Sequence, residues 1–80
     1  MKYTKYFEFT RTRPDRMAIK EEWIAKAFYC PIEEVIQEDG RIRRWAKIPE
    51  ADDKYLRIVI LEDFETIHNA FFDRSYKEKK

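Results

Sequence analysis

The 80-residue chain predicts an α+β domain in the order β-α-β-β-β-β. One twisted antiparallel sheet of about five strands carries one or two helices on a single face. Three observations predict it. Residues 41–48, 55–61 and 66–72 are runs rich in β-branched and aromatic side chains. Asp39-Gly40, just ahead of the first run, is a signal for a two-residue hairpin turn. Residues 19–28 set Ile19, Trp23, Ile24, Ala27 and Phe28 on one side at helical spacing.

The elements follow in order. Residues 3–10 alternate and read as a strand, with Tyr3, Lys5, Phe7 and Phe9 on one side. Thr12-Arg13-Pro14-Asp15 reads as a helix start. Thr12 is the cap, Pro14 suits the first turn, and Asp15 meets the positive end of the dipole. Glu22 and Lys26 are spaced for a supporting ion pair. Pro31 stops the helix near Tyr29, and a break at 18–20 would divide it in two. Residues 32–38 form the next strand, and 73–80 a frayed polar tail. The length suits one domain, and no linker divides it.

Composition narrows the class. One Gly and three Pro argue against disorder. Cys30 has no partner for a disulfide, which fits a reducing compartment, and it reads as a small buried filler. No apolar run approaches the ~20 residues of a membrane span, and the N-terminus lacks a signal-peptide core. The expectation is a cytoplasmic protein. There is no Gly-rich phosphate loop or nucleophile elbow, and one His with one Cys makes no zinc site. No metal or cofactor is therefore expected.

The net charge of +1 hides segregation. Residues 1–20 carry an excess of four positive charges and 21–40 an excess of five negative. Residues 41–60 are again basic, by three. Such a balance excludes a wholly basic nucleic-acid coat but permits a local basic face.

Strand spacing predicts which side chains share that face. If Glu62 pairs with Glu65 and Ile48 with Tyr55, then Arg44, Val59 and His68 form one row. Arg57 then lies diagonal to both, within reach of long side chains. Small Ala46 and Ala70 leave a shallow hollow between them. Trp45, Leu56, Ile58, Ile60, Ile67 and Phe71 then face the helix. A slip of one residue in either loop would reverse these faces.

With residues 11–72 laid out this way, the chain resembles the RelE/BrnT-like toxin superfamily, in its short, mostly uncharacterised single-domain branch. The resemblance rests on Arg13-Pro14-Asp15-Arg16, Cys30-Pro31, the Glu38 to Arg43 hairpin, Tyr55 to Val59, and Phe71 to Arg74. It covers about three quarters of the chain and includes no catalytic signature. It implies a metal-independent endoribonuclease acting on RNA and neutralised by a small acidic antitoxin. The catalytic candidates are His68, Arg57 and Arg44. Histidine titrates near neutrality, and the arginine fork matches a phosphate. Arg74, Tyr76 and Lys47 are the candidate RNA-phosphate contacts. A competing expectation uses the same face without catalysis, as a binding or homodimerising module.

Overall fold

Thr4 decides how the chain begins. Its hydroxyl accepts the Phe7 N–H at 3.0 Å and caps a helix over Lys5–Thr10 (α1). The strand expected over 3–10 is thus cut to Lys2–Tyr3 (β1). Alternating phenylalanines imitated a strand, but on the helix only Phe7 is buried while Phe9 stays exposed. So short a helix is marginal alone, and Phe7 in the core anchors it.

The computed structural model describes residues 1–78. After α1 come Pro14–Met17 (α2) and Glu21–Tyr29 (α3), so the helix does break at 18–20. Pro14 stands in the first turn of α2, as expected, but the Thr12 hydroxyl caps nothing. It donates to the Phe9 carbonyl instead. Lys26 donates to the Lys47 carbonyl, so α3 is tied to the sheet by the ammonium that was expected to meet Glu22. Cys30 is exposed, not a buried filler.

Four strands follow: Glu33–Ile36 (β2), Ile42–Ile48 (β3), Lys54–Ile60 (β4) and Thr66–Phe72 (β5). The sheet order is β1-β5-β4-β3-β2, antiparallel except for β1, which runs parallel to β5. Ile42, Ala46, Ile48, Leu56, Ile58, Ile60, Ile67 and Ala70 meet Phe7, Ile19, Trp23, Ile24 and Ala27 in one core.

The register corrects two expectations. The β3–β4 loop closes one residue earlier than expected, pairing Ile48 with Lys54, because Asp52 and Asp53 both adopt left-handed backbone. Arg44 therefore pairs with Ile58, and Trp45 with Arg57. The β4–β5 hairpin starts in the expected register, with Ile60 opposite Ile67. It then pairs Val59 with Asn69, leaving His68 as an extra residue in a β-bulge. Trp45 and Phe71 consequently lie on the open face beside Arg57, not against the helices. Ala46 and Ala70 are core residues. Ile58 faces the helices as expected.

The hairpin turn is also longer by one. Gln37 N–H donates to Arg41 and Gly40 N–H to Gln37, enclosing Glu38, Asp39 and Gly40. Gly40 supplies φ +90°, the left-handed residue that such a three-residue loop requires.

Candidate basic site on the open sheet face

The open face is built of two rows across β3, β4 and β5. One is Arg43–Val59–Asn69, the other Trp45–Arg57–Phe71. Arg41 lies two residues from Arg43 and so on the same side. The bulge turns His68 toward the end where α1 begins. There its ring stacks on Tyr6 at 4.9 Å, and Nδ1 lies 3.1 Å from the Thr4 hydroxyl. Together Arg41, Arg43, Arg57, His68, Tyr6 and Asn69 line an open concavity of about 300 Å³.

Its charge is one-sided. Among the described residues, three guanidinium groups share the hollow with a single carboxylate, Asp39, which is 4.0 Å from Arg41. With its amide oxygen turned inward, Gln37 accepts from Arg43 Nε at 3.1 Å and Nη2 at 2.7 Å. Burial pulls the Arg57 pKa down; Asp73 opposes that pull, and Arg43 adds repulsion. Burial likewise lowers His68, and the positive charge of Arg41 lowers it further. At neutral pH His68 is therefore an uncharged ring beside three cations.

Arg57 is held from its other side. Its guanidinium lies 4.3 Å from the Phe71 ring centroid and 3.5 Å from Asp73. Its Nε is buried and has no hydrogen-bond partner among the described residues. Asp73 also accepts from Trp45 Nε1 at 3.0 Å and from Ser75. Burial pushes the Asp73 carboxyl up, but these donors and Arg57 bring it below the ordinary carboxylate value.

The segment after β5 is no frayed tail as far as Tyr76. The Tyr76 ring stacks on Trp45 at 4.9 Å and meets Tyr55 edge-on at 5.0 Å, and its hydroxyl donates to Glu33 at 2.7 Å. Burial first, and then that carboxylate, raise its pKa to about 12. Residues 79–80 of the expected tail lie outside the described residues.

Of the six residues singled out from sequence, two enter the concavity: Arg57 and His68. Arg44 does not. It lies on the opposite face, donates to Glu34 at 2.6 Å and to the Phe28 carbonyl at 2.7 Å, and so ties β2 to the end of α3. Lys47 is on the open face but beyond Trp45, opposite Tyr55. Arg74 stands exposed near Asp52, Asp53 and Tyr55, and Tyr76 covers Trp45. Arg41, Arg43, Tyr6 and Asn69 were missed. Period-two spacing of Arg41 and Arg43 was a usable signal; Tyr6 gave none, because its placement depends on α1.

Among the described residues, no group of three or more His, Cys, Asp or Glu side chains gathers to hold a metal ion. No helix among them is long and apolar enough to cross a membrane. No protein-family model, curated protein or solved structure matches the chain.

Proposed function

We propose that the concavity binds a backbone phosphate of RNA, and that the chain is a metal-independent endoribonuclease of the RelE type. One observation carries this reading: Arg41, Arg43, Arg57 and neutral His68 surround a single hollow that holds one carboxylate. A phosphate there relieves the repulsion that Arg43 exerts on Arg57. His68 has Nδ1 engaged by Thr4, so Nε2 is the nitrogen left for the ligand. In the tautomer where Nδ1–H donates to Thr4, Nε2 takes the proton of a ribose 2′-hydroxyl. The 2′-oxygen bonds to phosphorus, the bond from phosphorus to the 5′-oxygen breaks, and solvent protonates the leaving oxygen. The arginines stabilise the charge that gathers on the phosphoryl oxygens. The Tyr6 ring beside His68 offers a stacking surface for a base. An acidic antitoxin-like partner belongs to the same reading, its carboxylates meeting the same arginines.

A second reading, a binding module without catalysis, draws on a different observation. Each cation in the hollow already has a neighbour: Asp39 for Arg41, Gln37 for Arg43, Asp73 for Arg57. Such restraint suits a recognition surface. A labelled single-stranded RNA in EDTA separates the two. Cleavage to a 2′,3′-cyclic phosphate, absent with a 2′-deoxy substrate, supports the nuclease. Arg43→Ala should weaken binding by about 1–3 kcal/mol, the worth of a charge-assisted hydrogen bond. Binding without cleavage selects the second reading, and binding that Arg43→Ala leaves unchanged overturns both.

A further inference from the structure

Asn69 lines the concavity beside His68 and takes no part in the proton transfer. Its amide is held in one orientation. Oδ1 accepts from Arg16 Nη1 at 2.8 Å and from the Ala70 N–H at 2.9 Å. Both neighbours can only donate, so the oxygen must face them and Nδ2 must face away. Nδ2 has no hydrogen-bond partner among the described residues. Gln37, the other amide of the hollow, is arranged alike, with its oxygen taken by Arg43. Asn69 stands opposite Val59 and therefore diagonal to Arg57. Diagonal neighbours lie about 7–8 Å apart, a gap that one phosphate group bridges.

Arg16 itself lies outside the hollow. It comes from α2, whose four residues include none that is buried. Pro14, Asp15 and Met17 are exposed, whereas the Arg16 side chain is only 18% exposed. Its Nη1 also donates to the Ala70 carbonyl at 3.1 Å, and its guanidinium lies 5.3 Å from the Phe71 ring centroid. A helix with no apolar anchor is thus fastened to β5 by one arginine, and that arginine grips the back of Asn69. We infer that Asn69 Nδ2 donates to a phosphoryl oxygen held between Arg43 and Arg57, and that Arg16 is the positioning residue that sets this donor. The inference rests on the reading that the hollow takes a backbone phosphate. A neutral amide adds a donor there without adding another positive charge to the crowded guanidinium groups. Without Arg16 only the Ala70 N–H holds Oδ1, and the amide can turn that oxygen toward the phosphate, which repels it.

The test is NMR titration of the isotope-labelled chain with a single-stranded oligonucleotide that is 2′-deoxy throughout and so cannot be cleaved. The strand should shift the Asn69 Nδ2 proton pair together with the Arg41 and Arg43 amides. Asn69→Ala should weaken binding by about tenfold, the worth of a hydrogen bond to a charged group. Asn69→Asp should weaken it further, because it keeps an oxygen for Arg16 but turns the donor into an acceptor. Arg16→Met should weaken binding severalfold, and Arg16→Lys less, since lysine restores a donor. In an Asn69→Ala background the Arg16→Met loss should largely vanish, because residues that act through one another do not add. A full Arg16→Met loss in that background overturns the role of Arg16. Shifts at Arg41 and Arg43 with the Asn69 pair unmoved overturn the inference and leave the phosphate reading standing. A strand that moves none of them overturns both. If the Arg16 variants do not fold, the titration of the unaltered chain and of Asn69→Ala still decides whether Asn69 is a donor to the ligand.

Discussion

Replacing Ile58 by alanine tests the assignment of faces on which the site depends. Ile58 is fully buried at the middle of β4, on the helix side. Truncating a buried isoleucine costs about 2–5 kcal/mol, and the position within that range depends on whether neighbours can fill the hole. Here they cannot. Across the sheet Ile58 is flanked by Arg44 and Ala70. Ala70 has only a methyl group to offer. Arg44 is held by Glu34 and the Phe28 carbonyl. The loss should fall in the upper half of the range, about 3–5 kcal/mol. A chain of this size has a total stability of about 4–12 kcal/mol, so the change removes about a quarter or more. With a urea slope of about 1 kcal/mol per molar, the midpoint should fall by about 3–5 M, or folding should be lost outright. Unfolding can be followed by the fluorescence of Trp23 and Trp45, both buried. Val59→Ala, one residue along on the open face, is the control and should cost less than about 1 kcal/mol. Equal losses at the two positions, or the larger at Val59, would refute the register.

Two further outcomes follow from single residues. Gly40→Ala should cost about 1–2 kcal/mol in urea unfolding, because Gly40 sits at φ +90° and an alanine resists that backbone. The new Cβ would also meet Glu62 Cγ at 2.7 Å, but that flexible side chain can swing aside, so Gly40→Asn should cost less than Gly40→Ala. His68 has its pKa lowered from 6.5 in the folded chain, so the unfolded chain takes up that proton first as pH falls. Its contribution is complete above the unfolded value and is lost as pH drops toward the folded one; a His68→Gln variant should lack that part of the acid decline in a midpoint-against-pH series.

The fold was legible because its largest signals were periodic and redundant. The runs at 41–48, 55–61 and 66–72 and the apolar stripe from Ile19 to Phe28 each rest on several residues, and all became the expected elements. The N-terminus was misread where two periods overlap. Phe7 and Phe9 satisfy a strand, while Thr4 as a cap and Phe7 with Thr10 on one side satisfy a helix. Tertiary contact decided between them: Thr4 N–H donates to the Ile67 carbonyl while its hydroxyl caps the Phe7 N–H, so β1 ends there and the chain turns into α1.

The site was legible in kind but not in membership, and the reason is register. An arginine-rich open face with His68 was expected, and Arg57 and His68 do share a hollow. The expected row Arg44–Val59–His68 is in the structure Arg43–Val59–Asn69, each outer member displaced by one residue. Two local features cause the displacements. Two consecutive left-handed aspartates shorten the loop before β4, and left-handed backbone at a non-glycine residue is rarely legible from sequence. The bulge at His68 adds a residue to β5 after the hairpin has begun in the expected register. That bulge is also what gives His68 its neighbours. In a regular strand continued from the Ile60–Ile67 pair it would stand opposite Val59 in the middle of the open face. As the extra residue it reaches Tyr6 and Thr4 instead, at the rim of the arginine hollow. The irregularity that defeated the spacing argument therefore moves the histidine from the middle of the arginine face to its rim, where α1 holds it.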